Sequence, residues 1–520
     1  MALTRVSYSM IQDMYLNVLD FGADNTGATD CTAAFTTALA EAFATKKVLF
    51  IPSGTYKASI AVGAGQTKIT IVGESRETTI IEAKNNSTAT ISIHWTAFNC
   101  NIKSLTVKNT SGGNNGTHYG IHSLGAGSGS GASGLVLEDL VVSGYNINVK
   151  LDEFNDQYVR QCVFASAVAG GSPAPAGANL YAGSPTYPCV GLIMDQVYCI
   201  AGEYGMYLEN TEGIKLTHLD CVLSVKQGLI HQRTTGNTIG MTISDSYFDS
   251  TTLDGLYLEG VDYGSFTNIW CSASPVAGTG NGVQLVNCSY NMFTNLATYN
   301  CKAAGLLLLQ DCTSNTFVGC MFRSNATYGA RIVNDSNSLN IFNGCFSSGN
   351  TVGAIEFLDT TAGAPNYWLN SIASGTVTIQ DKDIKQGGNA SGGITYSLTY
   401  QKNDLPDGAS SSVLDFTSGQ AVFVAPTNGN LLSISVALND TRAAGTLYAR
   451  PTINGAAKDL LRAEINGTNT QYAYVNVTSG AVPVSAGELI RVFYDTDAGW
   501  DTTGGAGTVD IAVTLVFESR

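Results

Sequence analysis

A short motif that returns at nearly constant spacing constrains this chain more than any other feature. Gly followed by alternating apolar residues recurs at Gly205-Met-Tyr-Leu, Gly228-Leu-Ile-His, Gly255-Leu-Tyr-Leu, Gly282-Val-Gln-Leu, Gly305-Leu-Leu-Leu, Gly329-Ala-Arg-Ile and Gly353-Ala-Ile-Glu, at successive intervals of 23, 27, 27, 23, 24 and 24 residues. A second motif follows at a similar interval: Phe266-Thr-Asn-Ile, Phe293-Thr-Asn-Leu, Phe317-Val-Gly-Cys and Phe342-Asn-Gly-Cys. A repeat this short, built of period-2 segments without a helical stretch, predicts one coil of a parallel β-helix per repeat. Leucine-rich repeats would need a fixed Leu/Asn consensus, and ankyrin or tetratricopeptide repeats would need helices; neither is present.

A solenoid grows in one dimension, so 520 residues need not mean several cores. The composition agrees, with 57 Gly and only 13% charged residues, which favours turns and short strands over helices. Lys and Arg number 26 against 41 Asp and Glu, a net charge of −15, which argues against nucleic acid as a partner. No apolar run is long enough to span a membrane, so membrane insertion is not expected. The N-terminus lacks the apolar core of a signal peptide, so synthesis and folding in a cytoplasm are expected, with another component carrying the protein outside. The twelve Cys form no CxxC pair and read as small reduced thiols filling the coil interior. Aligning the coils puts Cys320 and Cys345 at one inward position, near Cys271 and Cys301, and Asn268 and Asn295 at equivalent turns where stacked amides can bond.

Ahead of the repeats stands Asn17-Val-Leu-Asp-Phe-Gly-Ala-Asp-Asn-Thr-Gly-Ala-Thr-Asp30, then an amphipathic segment, then Val48-Leu-Phe-Ile-Pro-Ser-Gly-Thr-Tyr56. Ala34, Phe35, Ala38, Leu39, Ala42 and Phe43 share one face of a helix expected over 31–44, with Asp30 or Thr29 as N-cap. Its apolar face can close the open end of a solenoid. These segments resemble the opening of the pectate-lyase-3-type β-helix superfamily, and residues 5–23 resemble the start of bacteriophage tail-spike β-helices. The resemblance implies a right-handed single-stranded parallel β-helix, and a homotrimer that recognises and depolymerises a bacterial capsule, exopolysaccharide or O-antigen. It also implies a phage tail or adaptor protein as partner and a place in the virion. A long head-binding domain is not expected, and residues 1–16 are expected to be a neck or attachment segment.

The coil pattern runs over 17–375. Residues 376–412, rich in Gly, Ser, Asn and Asp, read as an irregular linker, and 413–520 as an antiparallel β-sandwich for trimerisation or carbohydrate binding.

Glycoside hydrolysis needs two carboxyl groups across the scissile bond. In the Gly-led strands Leu208 and Leu258 point inward, so Tyr207, Glu209, Tyr257 and Glu259 point outward. Glu209 and Glu259 are therefore the expected catalytic pair, two coils apart, with Asp245, Asp249 and Asp254 as partners for a tighter geometry. Tyr207, Tyr257, Gln232, Gln284, Arg331 and His231 are the expected substrate contacts, although His231 shares the inward register of Leu208. A lyase would instead need a base and a carboxylate-neutralising group, for which His218, His231, Arg233, Lys215 and Tyr257 are candidates. Asp152-Glu153-Phe154-Asn155-Asp156, with Tyr158 and Arg160, reads as a solvated acidic turn before an insert, Gly170 to Pro188, that leaves the coil and can wall a groove. Ile230, Leu307 and Leu309 form an outward apolar ladder suited to a subunit contact. The polygalacturonase pattern is absent, no calcium loop has the required spacing, and neither metal nor cofactor is expected.

Overall fold

The computed structural model describes residues 15–519, except 86–87, 111–117, 130, 168–176, 235, 274–278, 334–335, 359–364, 380–383, 387–393, 406–409, 417–422, 426–427, 440–442, 468–470, 479 and 502–508. Most of the expected attachment segment 1–16 and part of the Gly170 to Pro188 insert lie outside the described residues. Among the described residues no helix is long and apolar enough to cross a membrane.

The described residues of 15–367 and 375–384 form a right-handed parallel β-helix. Its coils contribute to a 13-stranded sheet and a 23-stranded sheet. The Gly-led motif is the 13-stranded sheet: Met206 pairs with Leu229, Leu229 with Leu256, Leu256 with Val283 and Val283 with Leu306. Alternate residues of each strand fall inside, where Leu208, Leu258, Leu285 and Leu308 are fully buried. The second motif is the 23-stranded sheet, where Phe266, Phe293, Phe317 and Phe342 stack with ring centroids 4.4, 5.0 and 4.5 Å apart. Each such ring contributes about 1.5–3 kcal/mol by leaving water.

The 23-stranded sheet bends at one position per coil, and that position has a left-handed backbone. Ser104, Asp139, Gln161, Gln196, His218, Asp245, Asn268 and Asn295 all have φ between 49° and 54° or at 55°. Gly319 and Gly344 continue the column. Asn, Asp, His and Gly, which tolerate this region best, fill seven of these ten positions, and Ser104, Gln161 and Gln196 fill the others. The expected amide stack forms on this corner: Asn295 Nδ2 donates to Asn268 Oδ1 at 3.1 Å, and Asn268 Nδ2 to Asp245 Oδ1 at 2.9 Å.

A second amide ladder lies inside. Asn291, Asn315, Asn340 and Asn366 donate in turn through Nδ2 to the next Oδ1 at 3.0, 2.9 and 2.9 Å. It satisfies backbone groups at a buried turn that no strand pairs. The twelve cysteines are free and buried. Cys320 and Cys345 are neighbours as expected, whereas Cys271 pairs in register with Thr298 in another column and accepts from the Cys301 thiol at its carbonyl, 3.8 Å away. Cys301 lies beyond the strand, where its N–H donates to Asn325 at 3.1 Å.

The N-terminal helix spans Thr32–Thr45 and buries Ala34, Phe35, Ala38, Leu39 and Ala42. Phe35 meets Tyr56 edge-on at 5.9 Å. Asp30 accepts from the Thr32 N–H at 2.9 Å, although Cys31 is the residue at the cap. The acidic loop before it closes on Asp24, which accepts from the N–H and hydroxyl groups of Thr26 and Thr29. The hydrogen bonds from Thr26 lead in holding its carboxyl at about 2.

The C-terminal unit has two antiparallel sheets around a core that includes Leu431, Val436, Ile490, Val492, Val513 and Phe517. Its longest strand, Ile394–Leu405, falls within the 376–412 segment expected to be a linker, and strand Ser410–Val413 straddles the end of that segment. The period-2 run Ile394, Tyr396, Leu398, Tyr400 is short and lies against Gly/Ser-rich flanks, which hides it in the sequence.

Asn315→Ala removes both donor and acceptor links of the buried ladder, and a loss of about 1–3 kcal/mol is expected per group left without a partner. The midpoint of urea unfolding measures it. Burial pushes the Cys301 and Cys312 thiols up to about 12. Thiolate is therefore scarce at neutral pH, so these cysteines should resist thiol reagents until the protein is unfolded.

Candidate active site

Outward residues of the 13-stranded sheet form two columns. The first runs Ser92, His122, Lys150, Tyr181, Tyr207, Ile230, Tyr257, Gln284, Leu307, Arg331. The second runs Asp152, Gly183, Glu209, Gln232 and, with the register continued, Glu259 and Val286. Coils repeat at about 4.8 Å, so carboxylates two positions apart in a column start about 10 Å apart at the backbone. Asp152 and Glu209 stand in that relation, and so do Glu209 and Glu259.

A groove of about 610 Å³ lies over the first of these pairs. Lys150, Asp152, Tyr181 and Glu209 come from the strands, while Tyr119 and Tyr187 flank them. Gly183, between the two carboxylates, has φ 142°, and a Cβ there would meet the Glu209 carbonyl at 2.1 Å. Only glycine fits at this position of the second column, between Asp152 and Glu209.

The polar atoms are ordered. The Tyr181 hydroxyl donates to Glu209 Oε2 at 2.7 Å. Lys150 Nζ donates to Asp152 Oδ2 at 2.7 Å, and His122 Nε2 lies 2.7 Å from the same oxygen. Burial opposes the charge on Asp152, but the His122 hydrogen bond and the Lys150 charge outweigh it and hold the carboxyl below its ordinary value. Lys150 sits 5.2 Å from the Tyr119 ring centre and 5.5 Å from that of Tyr181. Burial first, then the hydrogen bond to Glu209, pushes the Tyr181 hydroxyl well up. Tyr207 continues the aromatic floor, 5.9 Å from Tyr181.

Two inserts wall the groove. Ser184 to Tyr187 forms one side. The other is the Gly125–Gly129 loop, whose Gly127, Ser128 and Gly129 N–H groups converge on Glu153 Oε2 at 2.9, 3.3 and 3.2 Å. Glu153 is only 7% exposed. The loop returns so close over it that a Cβ on Gly131 would meet the Glu153 carbonyl at 1.6 Å.

The expected site residues separate into groups. Tyr207, Glu209, Gln232, Tyr257, Glu259 and Gln284 share the outward face, with the Tyr207 hydroxyl donating to Gln232 and that of Tyr257 to Glu259 at 3.3 Å. Arg331 lies on the same column five coils beyond Tyr207 and pairs with Glu356. Asp245 and Asp249 stand on strand Thr242–Thr251 of the other sheet, the first as a corner residue and the second bonded by Ser272. Asp254 is buried and caps Asn281 through its N–H at 2.8 Å and Nδ2 at 3.0 Å. Burial raises its pKa. His231 is fully buried with Glu259 O and Thr238 Oγ1 at its two ring nitrogens, and burial brings its pKa down to about 4. None of these four acids and bases reaches the groove. Ile230, expected outward, is 6% exposed under its larger neighbours. Of the lyase candidates, His218 is a corner residue held by Asp195, and Arg233 pairs with Glu212.

Asp152 and Glu153 come instead from the run expected to be a solvated turn. Its one sequence signal was the proline-rich run that follows; the part of it at Ala178–Gly183 is a strand of the 13-stranded sheet and does not leave the coil as expected, while Pro185 and Tyr187 reach the wall. Lys150, Tyr181, His122 and Tyr119 carry no motif.

Comparison with known proteins agrees with this architecture. Residues 15–94 match the rhamnogalacturonase A/epimerase, pectate lyase-like family, and 204–364 match the right-handed β-helix region. The solenoid is similar to tailspike protein 3 of bacteriophage CBA120 at TM-score 0.53 and 15% identity, over 74% of this chain and 62% of that one. The chain thus spans less than two thirds of that protein. The Dettilon tailspike protein matches at TM-score 0.47 and 10% identity, over 94% and 96% of the two chains. The A-module of an Azotobacter vinelandii mannuronan C-5 epimerase matches at 0.48 and 14%, over 72% and 100%. No curated protein sequence matches. What these likenesses establish is the β-solenoid fold with a pectate-lyase-like opening.

Glu153→Ala strips three N–H groups of one charged acceptor. The 125–129 loop should then exchange amide hydrogen faster and become a site of limited proteolysis, with the rest of the coil unchanged.

Proposed function

We propose that this protein is a phage tail spike that binds a bacterial capsular, exo- or O-antigen polysaccharide and cuts it by glycoside hydrolysis in the groove from Tyr119 to Glu209. The observation that carries the reading is the pair Asp152 and Glu209 on either side of Gly183, over a floor of tyrosines. A backbone separation of about 10 Å lets the carboxyls stand in the roughly 6.5–9.5 Å range that leaves room for a water and inverts the anomeric carbon. Asp152, kept ionised by His122 and Lys150, is the base for that water. Glu209, with one oxygen held by Tyr181, delivers the proton to the leaving oxygen. Tyr207, half-buried and packed against the buried Tyr181, offers an apolar ring face to the sugars. The fold shared with tailspike protein 3 of bacteriophage CBA120 suits this reading. The same reading makes the spike a homotrimer carried by the phage tail or an adaptor protein, and sedimentation of the purified chain reads the subunit number.

The Lys150 ammonium between two tyrosines favours one alternative, β-elimination from a uronic acid, in which Lys150 would neutralise the sugar carboxylate. The products decide: elimination leaves an unsaturated end that absorbs in the ultraviolet, whereas hydrolysis leaves two saturated ends.

Polysaccharides from a panel of strains, incubated with the protein and analysed by mass spectrometry, test the reading. Glu209→Gln and Asp152→Asn should each lower turnover roughly 10²–10⁴-fold and still bind. Full activity in both would refute the site, and intact polymer from every strain that is bound would refute the enzyme. Removing the Lys150 charge takes away a force that favours ionised Asp152, so its pKa rises. Lys150→Met should therefore move the acidic limb of the kcat/KM profile to higher pH.

A further inference from the structure

The corner of the 23-stranded sheet holds a second cleft, of about 550 Å³. Arg76, Asp139, Gln161, Gln196, Tyr198 and His218 line it. Asp139, Gln161, Gln196 and His218 occupy the left-handed corner of four successive coils, so their side chains fan outward at the coil pitch. They are held in place. Arg76 Nη1 lies 3.3 Å from Asp139 Oδ1 and donates to the Gln161 carbonyl at 3.4 Å. Gln161 Nε2 donates to Gln196 Oε1 at 3.3 Å, and His218 Nδ1 lies 2.8 Å from Asp195 Oδ1.

An outward column leads away from the cleft. Tyr198 pairs in register with Asp220, Asp220 with Tyr247 and Tyr247 with Trp270. Tyr198 is 46% exposed and Tyr247 58%. Tyr198 and Tyr247 are thus about 10 Å apart along the stack, with a carboxylate between them, and Trp270 follows one pitch of about 4.8 Å further. Two exposed ring faces with a carboxylate between them, beside the amides and guanidinium of the cleft, suit a saccharide, whose ring has apolar faces and a hydroxyl rim. A protein partner would favour an apolar centre depleted of charge, whereas the centre here is charged and the rings lie to one side.

We propose that this cleft and the Tyr198–Tyr247 column form a second, non-catalytic saccharide site that holds the glycan cut in the groove. The proposal rests on the polysaccharide reading of the groove. A long polymer held at two places on one molecule stays near the catalytic face after each cut, because the second contact is intramolecular.

Purified surface polysaccharide from a strain that the protein binds, and short fragments of it, are the probes. Tyr198→Ala combined with Tyr247→Ala should weaken binding of the polymer by about tenfold and raise its KM, with kcat on short fragments unchanged. Tyr198→Trp should keep wild-type binding, because it keeps the ring face. Polymer affinity and KM unchanged in the double variant would overturn the proposal. So would a change in subunit number with glycan affinity intact, which would make this face a contact between copies. If no polysaccharide is cut by the wild type, the groove reading fails by itself. Loss of polymer binding in the double variant would then still uphold the second site.

Discussion

Parallel pairing between successive coils sets everything else in the solenoid. Each coil lies on the one before it with the same residues in register, so a position becomes a column and a column becomes a surface or a core. Inside, the register turns single Phe, Cys and Asn residues into stacks; the Phe266 to Phe342 pile and the Asn291 to Asn366 ladder each satisfy the coil above and the coil below. Outside, it turns single Tyr, Lys and acidic residues into lines at a pitch near the size of a sugar ring. A surface ruled in this way can hold an extended chain without any one deep pocket.

The same register explains why some acidic residues mattered less than they looked. A corner with φ near 50° favours Asn, Asp, His and Gly, so the acid Asp245 needs no catalytic role to explain it. Asp254 is spent on an interior turn, capping Asn281, and His231 on an inward strand position between Glu259 and Thr238. Outward Glu209 and Glu259 are under neither demand. An acid becomes informative in a solenoid only when neither the backbone nor a buried turn already requires it.

The solenoid was legible because its evidence is periodic: the Gly-led and Phe-led motifs recur, and the capping segment precedes them. The outward Tyr/Glu column from Tyr207 to Glu259 was legible for the same reason, since alternation within a strand and the interval between strands are both visible in one sequence. Cys271 and Cys301 stand in other columns than Cys320 and Cys345 because coil lengths vary between 23 and 27 residues, and a shift of one or two residues moves a position along the strand or into the turn. The strand Ile394–Leu405 was hidden because nothing repeats it.

The groove itself lies where periodicity fails. It is made by departures from the coil: the insert that brings Ser184 to Tyr187 over one side, the glycine loop that Glu153 pins on the other, and Gly183, which removes one side chain from a column that would otherwise be filled. Before residue 205 the coils have no repeated Gly motif to align, so Asp152 and Glu209 could not be placed in one column from spacing alone. Once the strands at Ile147–Asp152, Ala178–Gly183 and Tyr204–Glu209 are paired, the relation is simple. The regular coils supply the pitch that sets two carboxylates about 10 Å apart, and the irregular inserts supply the walls that make the space between them a site. A uniform β-helix would carry the same acids on an open face, and the inserts are what distinguish this stretch from the rest of the column.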